Sequence, residues 1–176
     1  TAENMSFKII EPALLKDFAW FLYLYKNENV EIVINDEKID YEKYINTELS
    51  EKSIVTIEGY RFEINLVVWQ ESISEKFCCY YFDDQNVLKG NRTTTFNRNT
   101  INFNHSVFVK SDFFDDKENV TGDHDDIQIS MFESPDDRMI LKKMHKEIQV
   151  LIEKKISVYL SDKAEEVVEA MITKRK

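Results

Sequence analysis

Asp123-His124-Asp125-Asp126 puts three carboxylates and an imidazole in four consecutive positions, the hard donors a divalent cation takes. Their spacing matches no EF-hand, and adjacent carboxylates repel one another unless an ion is already there. A solvated loop is the competing reading, and seven acids in the fifteen positions from Asp112 to Asp126 fit it. The other histidines sit apart: His105 falls in a predicted strand and His145 on a helix face. No nucleophile elbow or Cys–His arrangement accompanies them, so hydrolysis by this chain alone is not expected. Cys78 and Cys79 are neighbours in a predicted strand, point to opposite faces and read as small buried hydrophobes rather than as a pair. Lys117 is a lone cation between Asp115-Asp116 and Glu118. On its own residues it reads as a cation partly neutralising an acidic loop.

Composition narrows the chemistry further. The net charge of −10 argues against a surface that tracks phosphates, and only Lys174-Arg175-Lys176 is locally basic, so direct nucleic-acid binding is not expected. Three glycines, Gly59, Gly90 and Gly122, cannot build a glycine-rich phosphate cradle. No run approaches the roughly 18 apolar residues of a membrane span. Thr1-Ala2-Glu3-Asn4 carries no signal pattern, and a chain opening without Met reads as a fragment. Sequons begin at Asn4, Asn91, Asn104 and Asn119 but would matter only after secretion; a reducing cytoplasm is the expected compartment.

The elements that must position these residues follow from periodicity. Glu11-Pro12 is expected to open a first helix, with Leu14, Phe18, Phe21, Leu22 and Tyr25 at helical spacing. Val30 to Ile34 reads as a strand ended by Asn35-Asp36, and Tyr41 to Leu49 as a connection with a helical turn. Ile54–Ile57 and Tyr60–Trp69 form a hairpin around Glu58-Gly59, with Tyr60, Phe62, Ile64, Leu66 and Val68 on one face. Phe77 to Phe82 is apolar on both faces, as a strand buried on both sides would be. Gly90 to Thr95 reads as irregular, His105 to Val109 as a strand and Ile127 to Phe132 as a last strand. Ser134-Pro135-Asp136-Asp137 is a helix start: a Ser cap, Pro at the first position and an acid three residues on. Ile140, Met144, Ile148, Leu151, Ile152 and Ile156 then make one apolar stripe, and Ser161-Asp162 could recap a second helical segment.

Four stretches resemble the second, transducer domain of the GHKL ATPases, the group of gyrase B, MutL, the heat-shock-90 type chaperones and the microrchidia proteins. They are Val30 to Ile39, Phe62 to Leu66, Tyr80 to Leu88 and His105 to Phe114, and the likeness spans about residues 30–160. The resemblance implies an α+β fold: a mostly antiparallel sheet with helices packed on one face, a left-handed βαβ crossover and a long C-terminal helix. It divides the chain into a helix that joins an upstream domain (residues 1–29), the sheet (30–134) and a helical segment packed on it (135–176). The family's ATP-site signatures belong to the preceding domain, so this fragment is expected to hold no cofactor and catalyse nothing. ATP and Mg would bind in an upstream GHKL ATPase domain, its implied partner, with a homodimer as the assembly and no membrane contact. The transducer of the family supplies a lysine to the γ-phosphate bound next door. By position Lys117 matches that role, with Lys110 second. The implied function is to couple ATP binding and hydrolysis upstream to conformational change or dimerisation. A stand-alone protein-interaction module without a nucleotide link is the alternative.

Overall fold

A computed structural model describes residues 2–96, 101–117 and 134–173. Two helices and seven strands follow in the order α1 (Ala2–Leu24), β1 (Val33–Ile34), β2 (Glu37–Lys38), β3 (Glu51–Ile57), β4 (Tyr60–Val68), β5 (Cys78–Phe82), β6 (Leu88–Thr93), β7 (His105–Lys110) and α2 (Pro135–Thr173). The protein is α+β. A small β1–β2 hairpin stands beside a five-stranded sheet of order β3-β4-β7-β5-β6. Neighbours in that sheet run antiparallel except β5 and β7, which are parallel. Both expected turns form where the sequence places them. Asn35 and Asp36 take φ of 50° and 64°, and Glu58 and Gly59 take 50° and 90°, the left-handed pair that two-residue hairpins need.

Strand alternation divides the apolar residues into two cores sharing one sheet. Phe62, Ile64, Leu66 and Val68 of β4, Cys79 and Tyr81 of β5, and Val107 and Val109 of β7 pack against Ile140, Leu141, Met144, Ile148, Leu151 and Ile152 of α2. The intervening residues Val67, Trp69, Cys78, Tyr80 and Phe108 pack against Leu15, Ala19, Leu22 and Tyr23 of α1. The helices therefore cover opposite faces, where one face was expected to carry both. The cause lies in the central strands: β5 and β7 are apolar at consecutive positions, so each face must be shielded from water. No helix joins two strands of the sheet among the described residues. The parallel pair β5/β7 is linked through β6 instead, and the expected left-handed βαβ crossover is not seen there.

Other expectations shift in register. α1 already runs from Ala2, so Pro12 lies inside it rather than at its first turn. Its buried residues include Phe7, Leu15, Ala19, Leu22 and Tyr23, while Phe18 is exposed. Val30 to Ile34 narrows to the two residues of β1, and the connection from Tyr41 contains one 3-10 turn, Tyr41–Tyr44. Gly90 to Thr95, expected to be irregular, supplies most of edge strand β6, which pairs with β5 despite its polar sequence. α2 is capped as expected, with the Asp137 N–H donating to Ser134 Oγ at 3.0 Å. It then continues unbroken through Ser161-Asp162 over 39 residues, a length of about 58 Å. The Asp123–Asp126 cluster and the expected strand from Ile127 to Phe132 lie outside the described residues.

Candidate functional site

Lys117 stands where β7 hands over to α2. After β7, Ser111 Oγ accepts from the Phe113 N–H at 3.2 Å and starts a 3-10 turn, Asp112–Phe114, that buries Phe113 and Phe114. The Lys117 N–H closes the next turn on Phe114 O at 3.0 Å. Its ammonium reaches the first turn of α2, donating to Asp137 Oδ2 at 2.8 Å, and lies 5.5 Å from the centre of the Phe113 ring. Both partners are about four-fifths covered, at 19% and 20% side-chain exposure, so the pair is better shielded than a surface bridge. The Asp137 carboxylate in the first helical turn suits the positive end of the helix dipole, and Lys117 is held there by the carboxylate rather than by the dipole.

Lys110 goes elsewhere. It ends β7 on the face that α1 covers, 4.0 Å from Asp84, and lines a groove of about 950 Å³. The two candidate lysines therefore serve different places: Lys117 belongs to the α2 side and Lys110 to the α1 side. The groove exists because α1 stops at Leu24 while the sheet continues beneath it. Its floor is Phe82, Phe108 and Ile54, the β5–β6 turn (Gln85 to Leu88) forms one wall, and Tyr23 to Glu28 form another. Lys26 and Lys52 complete a set of three ammonium groups. Tyr23 and Asn65 are hydrogen-bonded to each other, and the Lys26 ammonium sits 3.9 Å from the Tyr23 ring centre. Burial lowers the Lys26 pKa, with Glu42 opposing from a distance.

Sequence reasoning missed Lys26 and Lys52, although one signal was present. Along a single face of β4 the residues change from Arg61, Glu63 and Asn65 to Val67 and Trp69, marking where the cover of α1 begins.

The buried imidazoles and thiols are held in unreactive forms. His105 donates from Nδ1 to Phe103 O at 3.0 Å, which leaves Nε2 to accept from Thr94 Oγ1 at 3.0 Å. Burial pushes its pKa down to about 4, against the opposing effect of the Phe103 carbonyl. Arg92 can only donate, so it bonds His145 Nδ1 at 3.0 Å, and the ring proton sits on Nε2 facing Tyr81 Oη at 2.9 Å. Burial, helped by the Arg92 charge, pushes His145 down to about 3. Burial likewise raises Cys78 to about 11 and Cys79 to about 12, far from the thiolate that a nucleophile requires. Among the described residues no helix is long and apolar enough to cross a membrane, and no group of three or more His, Cys, Asp or Glu could hold a metal. Comparison with protein-family models, curated proteins and solved structures finds no match.

Proposed function

We propose that the chain is a non-catalytic coupling module of the GHKL transducer kind, relaying nucleotide state from an upstream ATPase domain into conformational change or dimerisation. The observation that carries it is the Lys117–Asp137 pair, which ties the end of β7 to the first turn of α2. A charge-assisted bond of this kind can be exchanged for a terminal phosphate, and α2 would turn that exchange into a displacement along about 58 Å of helix. Described residues 160–166 of α2 are all exposed, so the helix continues past its contact with the sheet, as an output arm would. The proposal rests on this junction and on the resemblance of the strands, not on the βαβ crossover. Its test is Lys117→Ala in a longer protein carrying the upstream domain. Slower hydrolysis with nucleotide binding retained is expected; wild-type turnover together with wild-type ATP-dependent dimerisation would remove the sensor role.

Exposed Val158 and Leu160 favour a second reading, a stand-alone interaction module that uses the same projecting helix. The coding sequence upstream of Thr1 separates the two. GHKL signatures there support coupling, and an unrelated sequence supports the interaction module.

A further inference from the structure

We propose that the groove at the end of α1 is a binding site for a small anionic molecule that carries an apolar ring. The shape suits such a ligand. About 950 Å³ lies at the upper end of small-molecule pockets, and three walls from α1, the sheet and the β5–β6 turn make it concave. Apolar surface is already paid out to solvent there: Ile54 and Val87 are 58% and 52% exposed on its lining, beside Phe82 and Phe108. A ring laid on that floor would cover side chains that the fold itself leaves open.

The charges select the sign of the ligand. The chain has 33 acidic residues against 23 basic ones, so the lysines that no acid engages are the ones open to an anion. Lys26 and Lys52 both line the groove, and among the described residues neither has a carboxylate within 4.0 Å. Lys110 has only Asp84, at the outer limit of 4.0 Å. Of the two acids on the lining, Glu63 is engaged by Arg61 at 2.5 Å, which leaves Glu28 on the lining and Glu42, acting on Lys26 from outside it, as the opposing charges. An anionic head between Lys26 and Lys52 would gain charge-assisted bonds without displacing an existing ion pair. The site is independent of the coupling proposal, because Lys117 and Asp137 belong to the α2 side of the sheet.

The probe is 8-anilinonaphthalene-1-sulfonate, an aromatic sulfonate, titrated into the intact chain by fluorescence and calorimetry. One saturable site is expected, at least tenfold weaker for the neutral parent N-phenyl-1-naphthylamine. Lys26→Ala/Lys52→Ala should weaken sulfonate binding at least tenfold, whereas Lys143→Ala/Lys154→Ala, which removes two lysines of α2, should leave it unchanged. Amide shifts on binding should centre on Asn65 and Phe108. Should the double variant not fold, Ile54→Glu at an exposed position is expected to produce the same loss. Absence of a saturable site, equal affinity for the neutral parent, equal loss in the α2 control or shifts centred elsewhere would each overturn the proposal.

Discussion

Two neutral histidines make this protein sensitive to mild acid. His105 and His145 titrate near 4 and 3 when folded, below their ordinary value of 6.5, because burial disfavours the charged ring. A depressed folded-state pKa contributes stability that is complete above the unfolded value and is lost as pH falls toward the folded one. The window therefore runs from about pH 6.5 down to about pH 4 for His105 and about pH 3 for His145, and each ring should cost about 1.4 kcal/mol per pH unit within its window. Urea midpoints measured at pH 7 and pH 5.5 should show this loss, and His145→Gln should reduce the slope by about half. An unchanged slope in that variant would mean that His145 takes up its proton at the same pH in the folded and unfolded protein. A different residue-scale effect belongs to Gly59, whose φ of +90° carries no steric neighbour within 4 Å of an added Cβ. Gly59→Ala should therefore cost only the backbone strain, about 1–2 kcal/mol by thermal unfolding, with no repacking of the hairpin.

At the scale of elements, the two halves of α2 should respond differently to truncation. Ile148 is 4% exposed in the core under the sheet, so Ile148→Ala is expected to cost about 2–5 kcal/mol. Leu160 is 44% exposed, and Leu160→Ala should stay within roughly 0.5 kcal/mol by chemical denaturation. Loss of equal size at both positions would mean that the far half of α2 is also buried. The contact face of α2 was legible in the sequence because one helix against one sheet leaves a regular stripe from Ile140 to Ile152. The cap at Ser134 and the hairpin at Glu58-Gly59 were legible for the same reason, since both are set by residues adjacent in sequence. β6 was not, because an edge strand gets its order from pairing with β5, and Lys89, Asn91 and Arg92 need no apolar face for that. The stripe of α1 was legible at Leu22 and shifted elsewhere, because Leu14, Phe18, Phe21 and Tyr25 keep helical spacing as well as the buried Leu15, Ala19 and Tyr23 do. Ala19 is fully buried in that core, and periodicity alone gives no weight to a small side chain. The groove was invisible for a related reason: it is defined by where α1 ends over the sheet, which brings Lys26, Lys52 and Lys110 together from three separate segments.

For the molecule as a whole, the decisive feature is that two cores share the same three strands. Residues Val67 and Val68 of β4, Cys78 and Cys79 of β5, and Val107 and Phe108 of β7 alternate between the α1 and α2 sides. Neither helix can leave without exposing the back of strands on which the other depends, which couples them into one unfolding unit. The two tryptophans give a direct test, because Trp20 and Trp69 both lie on the α1 side, Trp20 stacked at 5.9 Å on Tyr80. Their fluorescence reports the α1 core alone. Ellipticity at 222 nm is weighted toward α2, which has 39 helical residues against 23 in α1. The two signals should give one urea midpoint. A fluorescence transition that precedes the helical one would show that α1 detaches as a separate unit. In that case the α1 side would be a docked appendage to a sheet-and-α2 body, and a relay from β7 into α2 would have to operate without it.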